Sequence, residues 1–142
     1  MSAGKLDFGL IVKDNEAAVA QALAGGHFVL AFLLVHTLVE SLLRKFLRVE
    51  SENMAFNALI ERYQQFLDRE QYPEPEFVDE LRKFNQRRNR MVHELWRKGF
   101  SVTNKQAEPA LQAAVMMYGL FIEWLETFDP EITGHGFEYD QG

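Results

Sequence analysis

The sequence predicts an all-α fold, a bundle of four to five helices, and three observations carry that prediction. Apolar side chains recur at three- and four-residue spacing through most of the chain. Outside the opening residues, no segment alternates apolar and polar letters over strand length. The 142 residues are 47% hydrophobic and include 12 Phe, 4 Tyr and 2 Trp, enough for one domain with a proper core. The chain has no Cys, which excludes disulfide frameworks, thiolate metal sites and cysteine nucleophiles together. The expected organisation is an N-terminal arm over residues 1–14, a helical domain over 15–128 and a mobile acidic tail over 129–142.

Leu6 to Val12 reads as a short strand or extended arm, and Asp14 or Asn15 then caps a short helix from Glu16 to Ala24. Gly25-Gly26 bends or splits that helix. From His27 to about Arg48 runs a strongly apolar helix with His36, Thr37, Glu40 and Arg44 as its narrow polar stripe, suited to the centre of the core. Residues 17–39 carry no formal charge, but Gln21, Gly25, Gly26, His27, His36 and Thr37 interrupt them, which argues against a membrane span. The N-terminus lacks the order of a signal peptide, so the expected location is the cytoplasm. Ser51 can cap the next helix, in which Phe56, Leu59, Ile60, Tyr63, Phe66 and Leu67 keep the helical period to Gln71. Tyr72-Pro73-Glu74-Pro75 is the turn after it.

A third helix is expected from about Glu76 to Lys98, ended by Gly99 and with Arg97 and Lys98 suiting its negative end. Thr103 and Gln106 resemble a capping box and open the last helix, which aligns Leu111, Ala114, Val115, Tyr118, Phe121, Ile122, Leu125 and Phe128; Pro109 fits only in its first turn.

The third helix is unusual. Its apolar stripe of Phe77, Leu81, Phe84, Met91 and Leu95 is interrupted at Arg88, a charge that is costly there unless it is paired or opens into a cleft. The expected structural partner is Glu40 of the central helix. Arg82, Lys83, Arg87, Arg88, Arg90, Arg97 and Lys98 face only Glu94, a local charge of +6 in a chain whose net charge is −6. A basic strip on an acidic protein fits either a local polyanion site or a solvated helix face. On an ideal helix His93 sits about 140° around from Arg88, so the two need a neighbouring helix or subunit to act on one substrate. His27, His36 and His135 read as structural residues.

Arg88-Asn89-Arg90-Met91-Val92-His93 resembles the signature of the HEPN superfamily, named for nucleotide-binding domains of higher eukaryotes and prokaryotes: an Arg, then four to six residues, then a His, with a polar residue, often Asn, directly after the Arg. The setting is similar too, near the end of a penultimate helix, after an apolar helix bearing Glu40 and before a last amphipathic one. The resemblance implies a metal-independent endoribonuclease, often a toxin of a toxin–antitoxin pair or a defence component, acting on RNA as a homodimer, with an antitoxin or regulatory protein as a further partner. Residue by residue it makes His93 the acid/base catalyst, Arg88 the holder of the scissile phosphate and Asn89 the residue that orients the motif. Around them Arg82, Arg87, Arg90, Trp96, Arg97 and Lys98 are candidate RNA contacts, with Trp96 either stacking on a base or packing at an interface. Many toxin members carry Tyr two residues after the His; here that position is Leu95, which puts that branch in doubt.

Other chemistries fail on spacing. His93-Glu94 begins like a zinc-protease helix, but Arg97 stands where a second His is required, and neither a GxxxxGK[ST] nor a GxGxxG loop is present. No cofactor or metal is implied. The competing expectation is a non-catalytic helical module of the same architecture that binds a nucleotide, RNA or a protein.

Overall fold

The computed structural model describes residues 8–51, 53–132 and 136, and among them the secondary structure is helical throughout. The elements are α1 (Phe8–Ala24), α2 (Phe28–Leu47), α3 (Phe56–Arg69), α4 (Val78–Lys98), α5 (Phe100–Gln106) and α6 (Glu108–Glu126), followed by a 3-10 turn at Pro130–Ile132. The all-α expectation holds, with a sixth helix because α5 is separate from α6. No helix among the described residues is long and apolar enough to cross a membrane.

The central column is α2, which packs on each of the other five helices. Nine of its side chains are buried, among them Ala31, Phe32, Val35, Leu38 and Leu42. This apolar girth is why the stretch resembles a span in sequence: an interior helix needs no polar face. The uncharged run divides at Gly25-Gly26-His27, where Gly26 adopts φ 74°, a left-handed conformation that suits glycine.

Four expectations are corrected in detail. The arm over residues 1–14 is already helix from Phe8, because Val12, Glu16 and Val19 continue one buried stripe along α1; residues 1–7 lie outside the described set. Ser51 does not cap α3. Its carbonyl accepts Arg44 Nη1 at 2.6 Å, and that of Met54 accepts Arg44 Nη2 at 2.7 Å, which holds the connection non-helical until Phe56. Thr103 does not make a capping box, since it lies inside α5 and its hydroxyl has no partner among the described residues. In the tail, Ile132 is fully buried and Gly136 N–H donates to Glu16 Oε2 at 2.6 Å, so these two positions are packed; residues 133–135 and 137–142, His135 included, lie outside the described residues.

Asn104 performs a different capping role. Its Oδ1 accepts Val29 N–H at 3.0 Å and its Nδ2 donates to Gly26 carbonyl at 2.8 Å, so a residue of α5 satisfies the start of α2 from 75 positions away. This clamp joins the C-terminal end of α4, through α5, to the beginning of the central helix. At the other end of the bundle, Tyr63 hydroxyl donates to Glu76 carbonyl at 2.6 Å and accepts Trp124 Nε1–H at 2.8 Å. Burial there pushes the Tyr63 phenol well above its ordinary range.

Candidate functional site

The motif stands on α4, and that helix changes character along its length. In its first half Val78, Leu81, Phe84 and Asn85 are buried; in its second half only Met91 is, with Leu95 half-buried. The start of the helix is fixed by Phe77, which turns the chain at φ 68° while its ring packs on Phe121 with centroids 5.1 Å apart. Its end is fixed by Gly99 at φ 86°.

Where the packed half stops, a polar network crosses three helices. His36 of α2 donates from Nε2 to Asn85 Oδ1 at 3.0 Å, and Asn85 Nδ2 donates to Asn57 Oδ1 of α3 at 3.1 Å. The imidazole lies between the rings of Phe56 and Phe84, at centroid distances of 4.3 and 5.1 Å. Desolvation by these neighbours lowers its pKa from the ordinary 6.5; the Asn85 bond opposes this, nearby Arg88 reinforces it and Glu40 opposes it. His36 is thus kept neutral and serves as structure. The sequence carries one signal for this network: Asn85 follows Phe84 on the apolar side of α4, facing the one histidine inside the apolar stretch of α2.

One turn further on, Arg88 reaches solvent. The seam opens at this position, so the helix has no buried guanidinium to compensate. Glu40 is not its partner: Glu40 Oε2 accepts Arg44 Nε at 3.0 Å, four residues along the same helix. The difference has a local cause, since the two loop carbonyls that bind Arg44 also place its guanidinium beside Glu40. Arg88 Nη1 donates instead to Asn89 Oδ1 at 3.0 Å. Asn89, His93 and Trp96 are exposed as well. The His93 and Trp96 rings meet edge-on at 4.9 Å and 81°, with Trp96 73% exposed. The motif side chains therefore meet in two pairs, Arg88 with Asn89 and His93 with Trp96, whereas no hydrogen bond among the described residues joins Arg88 to His93, which helix geometry sets about 140° apart.

The basic strip divides by partner. Arg97 Nε and Lys98 Nζ both contact Glu94, at 3.4 and 2.7 Å, and hold its carboxyl below the usual range. Lys83 pairs with Asp79 at 3.0 Å, and Arg82 donates to Gln64 Oε1 at 3.0 Å. Arg87, Arg88 and Arg90 have no ion pair among the described residues. Of these, Arg87 and Arg90 line a cavity between α4, α5 and α6, away from Arg88. Among the described residues no group of three or more His, Cys, Asp or Glu is placed to hold a metal ion.

Comparison with protein-family models, curated proteins and solved structures found no match.

Proposed function

We propose that the protein is a metal-independent endoribonuclease of HEPN type, with Arg88 and His93 as its reacting pair. The observation that carries this reading is the state of Arg88: solvent-exposed on the core side of its helix, without a carboxylate partner among the described residues, and held by Asn89. A structural arginine at a seam is expected to be paired; one kept free and pre-oriented is suited to a phosphate.

The chemistry rests on the residue types. His93 takes the proton of a ribose 2′-hydroxyl and returns one to the departing 5′-oxygen, and Arg88 offsets charge growing on the phosphate. The 2′-oxygen bonds to phosphorus as the 5′-oxygen leaves, giving a 2′,3′-cyclic phosphate and a free 5′-hydroxyl. DNA lacks the attacking group and is not cut. Because about 140° of helix separates Arg88 from His93, one chain does not present both to one phosphate. A homodimer completes the cleft, with Trp96 at its edge for a base or for the second copy. An antitoxin or regulatory partner would act by covering this surface.

Wild type and His93→Ala, incubated with total RNA or tRNA in EDTA, test the reading. It expects cleavage by wild type alone with cyclic-phosphate ends, and a loss of about 10²- to 10⁴-fold in the variant, the usual contribution of a general acid–base. Intact RNA, or equal cleavage by both proteins, overturns it and leaves a binding module.

A further inference from the structure

The cavity between α4, α5 and α6 encloses about 390 Å³, within the range of small-ligand sites, and shares no residue with the Arg88–His93 pair. Its apolar wall includes Met91, Ala110 and Ala113. Three independent features give it an anionic preference. Arg87 and Arg90 line it without an ion pair among the described residues, whereas Lys83, Arg97 and Lys98 of the same helix are paired. Ala107 and Ala110 bring to it the N-terminal end of the 19-residue α6, where the helix dipole favours negative charge, although Pro109 has no N–H and the Ala107 N–H is bonded to the Asn104 carbonyl.

The third feature is Thr103. It lines the cavity, is only 4% exposed, and its hydroxyl is buried without a hydrogen-bond partner among the described residues. A polar group of this kind is retained at a cost unless something bonds it. Glu94 also reaches the wall, but Lys98 and Arg97 hold its carboxylate, and the charge of the surroundings remains positive.

We propose that this cavity binds a small phosphate monoester with a compact apolar body. Two unpaired guanidiniums and a helix N-terminus match a dianion with three terminal oxygens better than a carboxylate with two. The phosphate bridges Arg87 and Arg90, the body lies on Met91, Ala110 and Ala113, and Thr103 hydroxyl bonds an oxygen of the ligand. This proposal does not rest on the ribonuclease reading, and binding requires no turnover.

Isothermal titration of the full-length chain with phenyl phosphate tests it, with benzoate and inorganic phosphate as comparison probes. Phenyl phosphate is expected to bind saturably at one site, at least about tenfold more tightly than either comparison probe, since each of those lacks one of the two recognised groups. Arg87→Gln with Arg90→Gln is expected to weaken it by about a hundredfold, and Thr103→Val by about threefold to tenfold. Thr103→Ser, which keeps the hydroxyl, is expected to restore most of that loss, and His93→Ala to bind as wild type. Both arginines are exposed, so circular dichroism of the double variant should match wild type. No saturable binding at millimolar concentrations, or undiminished binding by the folded double variant, overturns the site. Tighter binding of benzoate overturns the phosphate assignment, and equal binding of inorganic phosphate overturns the apolar body.

Discussion

The two halves of α4 obey different rules although they are one continuous helix. From Val78 to Asn85 its inward side chains are buried, and its one polar member is bonded to both neighbouring helices. From Arg88 to Trp96, Met91 is buried and Leu95 half-buried, while Arg88, Asn89, His93 and Trp96 stand in solvent. The histidines obey the same division. His36 is buried, sandwiched by rings and held neutral; among the described residues His93 makes its ring contact with the edge of an exposed tryptophan. The packed half thus anchors the helix, and the open half is free to carry chemistry without a packing cost. Substitutions on the two sides of Asn85 should therefore separate stability from activity.

The largest stability effect is expected at Phe84, which meets Phe32, His36 and Phe56. Phe84→Ala should cost about 3–5 kcal/mol in denaturant unfolding, whereas His93→Ala should stay within about 0.5 kcal/mol of wild type. Next comes Asn85→Ala, which leaves the buried His36 N–H without its acceptor; chemical denaturation should give a loss of about 1–3 kcal/mol.

The same histidine sets a pH dependence. Its folded pKa lies below the unfolded 6.5, so below that value the unfolded chain takes up a proton that the native state refuses. Stability should be level above pH 6.5 with respect to this group, and should fall as pH drops through that value toward the lowered folded pKa. Replacing His36 with Gln should flatten that segment of the curve, and an unchanged profile would show that His36 is not its source. A smaller loss than at Phe84 is expected outside α4: Asn104→Ala removes the distant cap of α2 and should lower stability by about 1 kcal/mol, read as a shift in the denaturation midpoint.

Much of this division is visible in the sequence because helical period and apolarity are local properties. Phe56 to Leu67, Leu81 with Phe84, and Leu111 to Leu125 fall where their spacing puts them, and Gly99 ends its helix as expected. Long-range partners are another matter. Ser51 has the letters of a cap but is held by Arg44, and Thr103 has the letters of a capping box but sits inside α5. Asn104, which does cap a helix, belongs to a different one. Arg88 obeys the same logic: periodicity places it on the seam, and only the three-dimensional packing reveals that the seam is open there. Glu40 fails as its partner because Arg44, one turn away, is held in place by two loop carbonyls. Asn85 has a local signal in its place beside Phe84, but its partners His36 and Asn57 lie far away in the chain, and nothing in the letters marks the buried Thr103 hydroxyl as lacking a partner among the described residues.

The central claim is that Arg88 and His93, set on different faces of one helix, meet across two copies of the chain. Mixing Arg88→Ala with His93→Ala, each inactive alone, tests it most directly when RNA cleavage in EDTA is monitored before and after the subunits exchange. Activity regained only in the mixture is the expected result, because a mixed pair joins the intact Arg88 of one copy to the intact His93 of the other. A mixture as inactive as its components, with exchange verified by differently labelled subunits, would contradict the shared cleft.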